Sequence, residues 1–167
     1  NHEYENNNGF CTECDAYEPA TLVTNENYES FYLKADYVGY YAISNAGQLF
    51  WYANYINTVD RTANAVLVSD IDLENRPWTP IGSTGENSNN FRGIFDGQNY
   101  TIKGLYAEGG RAGLGFFGEV RTGTVKNFTI YGEVVVNTEV DYVGGVIGSI
   151  CGVNGENDLE RNGAIIQ

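Results

Sequence analysis

Residues 113–120 read GLGFFGEV, and residues 144–151 read GGVIGSIC. Shifted by thirty, Gly115-Phe116-Phe117-Gly118 falls on Gly145-Val146-Ile147-Gly148, and Asn127 falls on Asn157. A fixed period of roughly 20–50 residues marks an architecture in which no unit buries its apolar face alone. The segments around these runs are short and β-like, and most connections are too short for helical crossovers. The spacing therefore predicts a β-solenoid, each coil adding a parallel strand about 4.8 Å above the last. The glycines mark corners where the backbone bends or runs close to its neighbour. Phe117 and Ile147 are expected at equivalent inward positions on adjacent strands.

Upstream of these runs, YYAISNAGQLFWYANYIN occupies residues 40–57. Ser44 reads as an N-cap, and Ala46, Leu49, Phe50, Ala53 and Ile56 follow at helical spacing. A helix over about 44–57 is expected to plug the N-terminal end of the coil, with Leu49 and Phe50 buried. Phe50-Trp51-Tyr52 would also suit a sugar-stacking platform, but burying Phe50 against a core needs no ligand. AVLVSDIDL (65–73) reads as one strand, with Leu67, Ile71 and Leu73 facing one way and Asp70 and Asp72 the other. ENRPWTPIG turns the chain, and from Phe91 onward short β segments alternate with glycine. The glycine-framed pattern decays after Asn157.

Residues 1–30 hold seven acids and no Lys or Arg. With Asn6-Asn7-Asn8-Gly9 favouring a turn, residues 1–39 read as an acidic leader tethered to a domain over 40–167. The whole chain of 167 residues carries 21 Gly, 13 Tyr, no Met and a formal net charge of −13. Its nine Lys and Arg are scattered singly along the sequence. Such a surface repels nucleic acid and anionic membranes, both of which are bound through Lys and Arg. No run approaches the roughly 18–20 apolar residues of a membrane helix. The start on Asn rather than Met suits a mature or excised piece. The Tyr- and Asn-rich, Lys-poor composition suits a secreted bacterial surface protein.

The chemistry-bearing residues are few. Cys11-Thr-Glu-Cys14 reads as half a zinc knuckle, a local redox pair or a small disulfide loop. No metal is the expectation; the alternative is a site of His2, Cys11 and Cys14 with a borrowed fourth ligand. Cys151 reads as a small buried apolar residue. With His2 the one histidine, Ser-His and Cys-His machinery lacks a base. Asp70, Asp72 and Asp96 are the carboxylates best placed for glycan or calcium binding, or for glycoside hydrolysis. All three also sit where a repeating coil places strand edges and turns. No catalytic residue is assigned. The sequons NYT (99–101) and NFT (127–129) fall within predicted strands.

Taken as an ordered series, AISNAGQLFWYANYIN, NAVLVSDIDL, WTPIG, FRGIFDGQNYTIKGLY, GLGFFGEV and GTVKNFTIYGEV resemble the repeat modules of large secreted and surface proteins of gut-type Firmicutes and related bacteria. That group includes the GLUG-motif repeats, and VGGVIG is similar to their glycine-rich runs. The likeness covers roughly residues 40–157. NGFCTECDAYEPA also resembles the short G-x-C-x-x-C-G linkers of such proteins, with Asp15 in place of the last glycine. The resemblance implies an all-β fold, a right-handed parallel β-helix similar in architecture to pectate lyases, with one N-terminal capping helix. It implies an extracellular, often multi-domain parent; it does not imply a catalytic activity. The expected function is a non-catalytic module for adhesion, ligand binding or structural self-association at the cell surface. A carbohydrate-active enzyme, either polysaccharide lyase or glycoside hydrolase, is the competing reading. Expected partners are other extracellular chains, neutral glycans or further copies end to end, with no cofactor other than an optional calcium.

Overall fold

The computed structural model describes residues 2–4, 7–84, 89–109, 112–137, 142–151 and 165–166. Strand β1 (Thr21–Leu22) runs antiparallel to β2 (Tyr40–Ile43), with short 3-10 turns at Tyr28–Phe31 and Ala35–Tyr37 between them. Helix α1 (Ala46–Thr58) then carries the chain to β3 (Asn64–Leu67), which pairs in parallel with β2. Next come β4 (Ile71–Asp72), β5 (Ile94–Asp96), β6 (Thr101–Gly109), β7 (Phe117–Arg121), β8 (Thr124–Lys126), β9 (Thr129–Val136), β10 (Ile147–Cys151) and β11 (Ile165–Ile166). They form three sheets, ordered β1-β2-β3-β5-β8-β11, β4-β6-β9 and β7-β10.

The expected all-β, right-handed parallel β-helix is corrected by this architecture. The largest sheet is mixed, because β1 pairs antiparallel at its edge. The helix is a crossover between two parallel neighbours, β2 and β3, an α/β connection of the kind parallel strands require. Within residues 1–39, β1 is the edge strand of the largest sheet, and Phe10, Ala20 and Val23 are buried.

Other expectations meet the structure more closely. The thirty-residue offset is a strand register: Ile147 lies opposite Phe117, and Ile150 opposite Val120. Ile81 bridges Phe117 from the other side. Phe117 is fully buried, and Ile147 packs half-buried against the same core. The glycines answer to close approach. A Cβ on Gly115 would lie 2.4 Å from the Gly144 carbonyl oxygen, and one on Gly118 would lie 2.2 Å from that of Gly82. Asn157 and the side chain of Cys151 lie outside the described residues.

α1 buries Leu49, Phe50, Tyr52 and Ile56. Its N-cap is Asn45 rather than Ser44. The Asn45 Oδ1 accepts from Gln48 N at 2.9 Å, while the Gln48 Oε1 accepts from Ser44 N at 2.8 Å, a reciprocal clasp on the first turn. The expected strand 65–73 is two strands in different sheets, β3 and β4, with a corner at 68–70. Leu67, Ile71 and Leu73 are buried while Asp70 and Asp72 face solvent, as the alternation predicts. An aromatic chain links the elements: Phe10 on Phe50 at 5.5 Å, Phe50 on Trp78 at 5.0 Å, and Trp78 stacked on Phe116 at 5.0 Å. Asn99 and Asn127 of the two sequons sit in left-handed turns (φ 66° and 59°), not within strands.

Candidate functional site

Asp70, just before β4, and Asp72, at its end, with Glu74 rim a shallow pocket of about 310 Å³ shared with Asn8, Ser44 and Asn45. Both aspartates hold backbone amides, and Glu74 holds a side chain. The Asp70 Oδ1 accepts from Thr101 N at 2.8 Å, fixing the start of β6. The Asp72 Oδ1 accepts from Glu74 N at 2.9 Å, and its Oδ2 lies 3.0 Å from Lys103 Nζ. The Glu74 amide and then Lys103 hold the Asp72 carboxyl below its usual range. Glu74 pairs with Arg76 at 3.2 Å. Calcium needs six to eight converging oxygens. Among the described residues these carboxylates do not gather into such a group.

Asp96 does not join them. It is 2% exposed and accepts from Tyr37 OH (2.8 Å), Gln98 N (3.0 Å) and Asn127 Nδ2 (3.1 Å), with Lys126 Nζ at 3.4 Å. Burial pushes its pKa up, but these donors outweigh burial and hold it low. Burial and then the Asp96 carboxylate push Tyr37 up to about 12. Asp96 therefore binds a 3-10 turn, β5 and the end of β8 together. Phe50 and Tyr52 are likewise turned inward, while Trp51 stacks on Tyr55 at 5.0 Å.

Two features escaped the sequence reading. Arg92 N donates to the Arg61 carbonyl, and Arg121 N donates to that of Phe91. Arg61 and Arg121 thereby each come within electrostatic range of Arg92, which also feels buried Glu119. Burial and the two other arginines push Arg92 down from its ordinary value. The cations are thus not scattered singly. The same near-thirty spacing that aligns the glycines would have aligned these arginines.

The second feature is a cleft of about 580 Å³ between the C-terminal end of α1 and the approach to β7. Its walls are fixed by their own hydrogen bonds. Asn57 Nδ2 donates to the Pro80 carbonyl at 3.0 Å, and Asn57 Oδ1 accepts from Gly82 N at 2.8 Å. Thr84 Oγ1 donates to the Ala112 carbonyl at 3.1 Å. Trp78 forms part of the floor, its Nε1 donating to the Phe116 carbonyl at 2.9 Å. Glu108 is the one charged residue among the described lining. Tyr106 and then Asn137 donate to its carboxylate and hold its pKa down. No signal in the sequence marks this cleft, because its described walls come from four separate stretches: the end of α1, residues 78–84, the end of β6 and residues 112–114.

His2, Cys11 and Cys14 do converge, away from this cleft's lining. No protein-family model matches the chain, and no curated protein or solved structure matches it significantly.

Proposed function

We propose that this chain is a non-catalytic binding module of a secreted or cell-surface bacterial protein, and that its cleft takes a neutral glycan. The observation that carries the reading is the cleft itself. Its volume lies within the range of small-ligand sites, its walls are pre-set, and its described lining mixes apolar and polar surface and is nearly uncharged. A net charge of −13 disfavours acidic polysaccharides at low salt and leaves neutral sugars unaffected. The likeness to GLUG-type repeats and the Lys-poor composition support the extracellular parent. No helix among the described residues is long and apolar enough to cross a membrane.

A glycoside hydrolase would need two carboxyl groups about 5–10 Å apart across its cleft. Glu108 stands alone here among the described lining residues, and the acids at β4 are bound to backbone amides or to lysine. Adhesion to neutral glycans or to glycosylated partner chains follows more directly than cleavage.

The test is a glycan array, run with calcium and with chelator, followed by calorimetry on any hit. Neutral glycans are expected to bind, independently of calcium, and Ala112→Tyr is expected to fill the cleft and abolish binding. A preference for acidic glycans, binding unaltered in Ala112→Tyr, or cleavage of the bound glycan would overturn the proposal.

A further inference from the structure

We propose that His2, Cys11 and Cys14 form a zinc site that fastens the segment around His2 to the turn that precedes β1, with a fourth coordination position open to solvent. The chain has one histidine and three cysteines, and the fold brings three of these four residues to one point. Their ligand atoms all lie within 4.8 Å of one another, the only such group of metal-binding donors found among the described residues. His2 Nδ1 is 3.2 Å from Cys14 Sγ and 3.8 Å from Cys11 Sγ. Tetrahedral zinc, with Zn–S about 2.3 Å and Zn–N about 2.0–2.1 Å, sets nitrogen and sulfur about 3.6 Å apart. The two observed N···S distances bracket that value. The sulfurs, 2.8 Å apart, need to separate to about 3.8 Å.

The backbone arranges this meeting. Thr12 N donates to the Glu3 carbonyl at 3.0 Å, and Tyr4 and Cys11 form an antiparallel bridge, so the strand bearing His2 lies beside the one bearing Cys11. Cys11 N donates to the Ala16 carbonyl at 2.9 Å, closing the turn that returns Cys14 to Cys11. Within the turn, the N–H groups of Glu13 and Cys14 point at the Cys11 sulfur, and the Ala16 N–H points at that of Cys14. Such donors stabilise sulfur as thiolate, the form a metal binds. His2 and Cys14 are exposed and Cys11 is half-buried, so zinc can enter without a core opening. Three protein donors and an open position is a coordination that zinc accepts.

Binding would also be felt by the core. Phe10, next to Cys11, is buried against Phe50 and carries the Arg76 guanidinium 3.7 Å above its ring. Tying His2 to Cys11 and Cys14 holds that ring in place.

The test uses the full chain purified under reducing conditions without chelator. Native mass spectrometry is expected to find one zinc per chain, cobalt substitution to give a thiolate charge-transfer band, and zinc to raise the melting temperature. Cys11→Ser, Cys14→Ser and His2→Gln are expected to weaken zinc more than the roughly 10–100-fold lost with an outer-shell partner. Circular dichroism checks that each variant folds, and Cys151→Ser is expected to bind normally. No stoichiometric uptake by the reduced chain would overturn the site, as would uptake that survives Cys11→Ser and Cys14→Ser. A Cys11–Cys14 disulfide in the protein as isolated would overturn it in favour of a redox loop.

Discussion

Replacing Asp96 by alanine removes the acceptor shared by Tyr37 OH, Gln98 N and Asn127 Nδ2, and the charge facing Lys126. Hydrogen bonds to a charged group contribute about 1.5–3 kcal/mol each. Three of them do not simply add, since Tyr37, Gln98 and Asn127 are half-buried and regain some water. Stranding the partners of a buried carboxylate costs about 3–5 kcal/mol, and about 4 kcal/mol is expected here. For a chain of this size each kcal/mol moves the melting temperature by about 2–4 °C, so Asp96→Ala should melt roughly 8–16 °C lower. Tyr37→Phe, which deletes one hydrogen bond, should cost about 1 kcal/mol.

The pH dependence separates charge from packing. The folded pKa of Asp96 lies below the ordinary value of 3.8. Its charged form thus stabilises the fold at neutral pH, and that contribution fades as pH falls from about 4 through the folded pKa. Thermal melts of wild type and Asp96→Asn at pH 7, 4 and 2.5 test this. The gap should be widest at pH 7 and narrow as pH falls towards 2.5 and the Asp96 carboxylate takes up its proton. Equal melting temperatures at pH 7, or a gap that does not narrow in acid, would refute the reasoning.

Two further stability tests follow from packing. Leu49→Ala empties a fully buried site on α1 and should cost about 2–5 kcal/mol by urea unfolding; a loss below 1 kcal/mol would contradict the core position of that face. Gly118→Ala should destabilise by more than 1 kcal/mol, because its Cβ meets the Gly82 carbonyl oxygen at 2.2 Å. Gly145→Ala, which meets nothing within 4 Å, should be near neutral, and equal effects at the two sites would undo the close-approach account of the glycine pairs.

What the sequence could reveal depended on whether a signal repeats or stands alone. The apolar 3-4 spacing from Ala46 to Ile56 made α1 legible, and the alternation of Leu67, Ile71 and Leu73 showed which residues face inward. The thirty-residue offset showed which residues pair: Phe117 with Ile147. Sheet composition was not legible. β1 has two residues, too few to carry a period, and they lie inside a segment read as an acidic leader. The same alternation runs unbroken through the corner at 68–70, so β3 and β4 looked like one strand. Ser44 and Asn45 are equally good caps in isolation, and only the reach of Gln48 decides between them.

The site residues divide along a similar line, and the division bears on what this chain can do. Asp72 and Lys103 are cross-strand register partners, as are Asp96 and Lys126. Arg121 lies two residues beyond Glu119 on β7, with its Nε 3.5 Å from the Glu119 Oε1. Three of the nine Lys and Arg thus answer acids that the strands themselves bring close. An acid in that position is a poor general acid or base, because its charge is held by the fold and its pKa is driven away from neutrality, as for Asp72 and Asp96. Among the described residues most of the other acids lie in no such ion pair, and the excess of acids, a net charge of −13, gives the surface its negative field. That field disfavours anionic polymers and leaves two openings the fold does not itself occupy. One is a nearly uncharged cleft suited to a neutral ligand. The other is a pair of thiols beside a histidine, suited to a cation. Binding, rather than bond cleavage, is therefore the chemistry we propose for these residues.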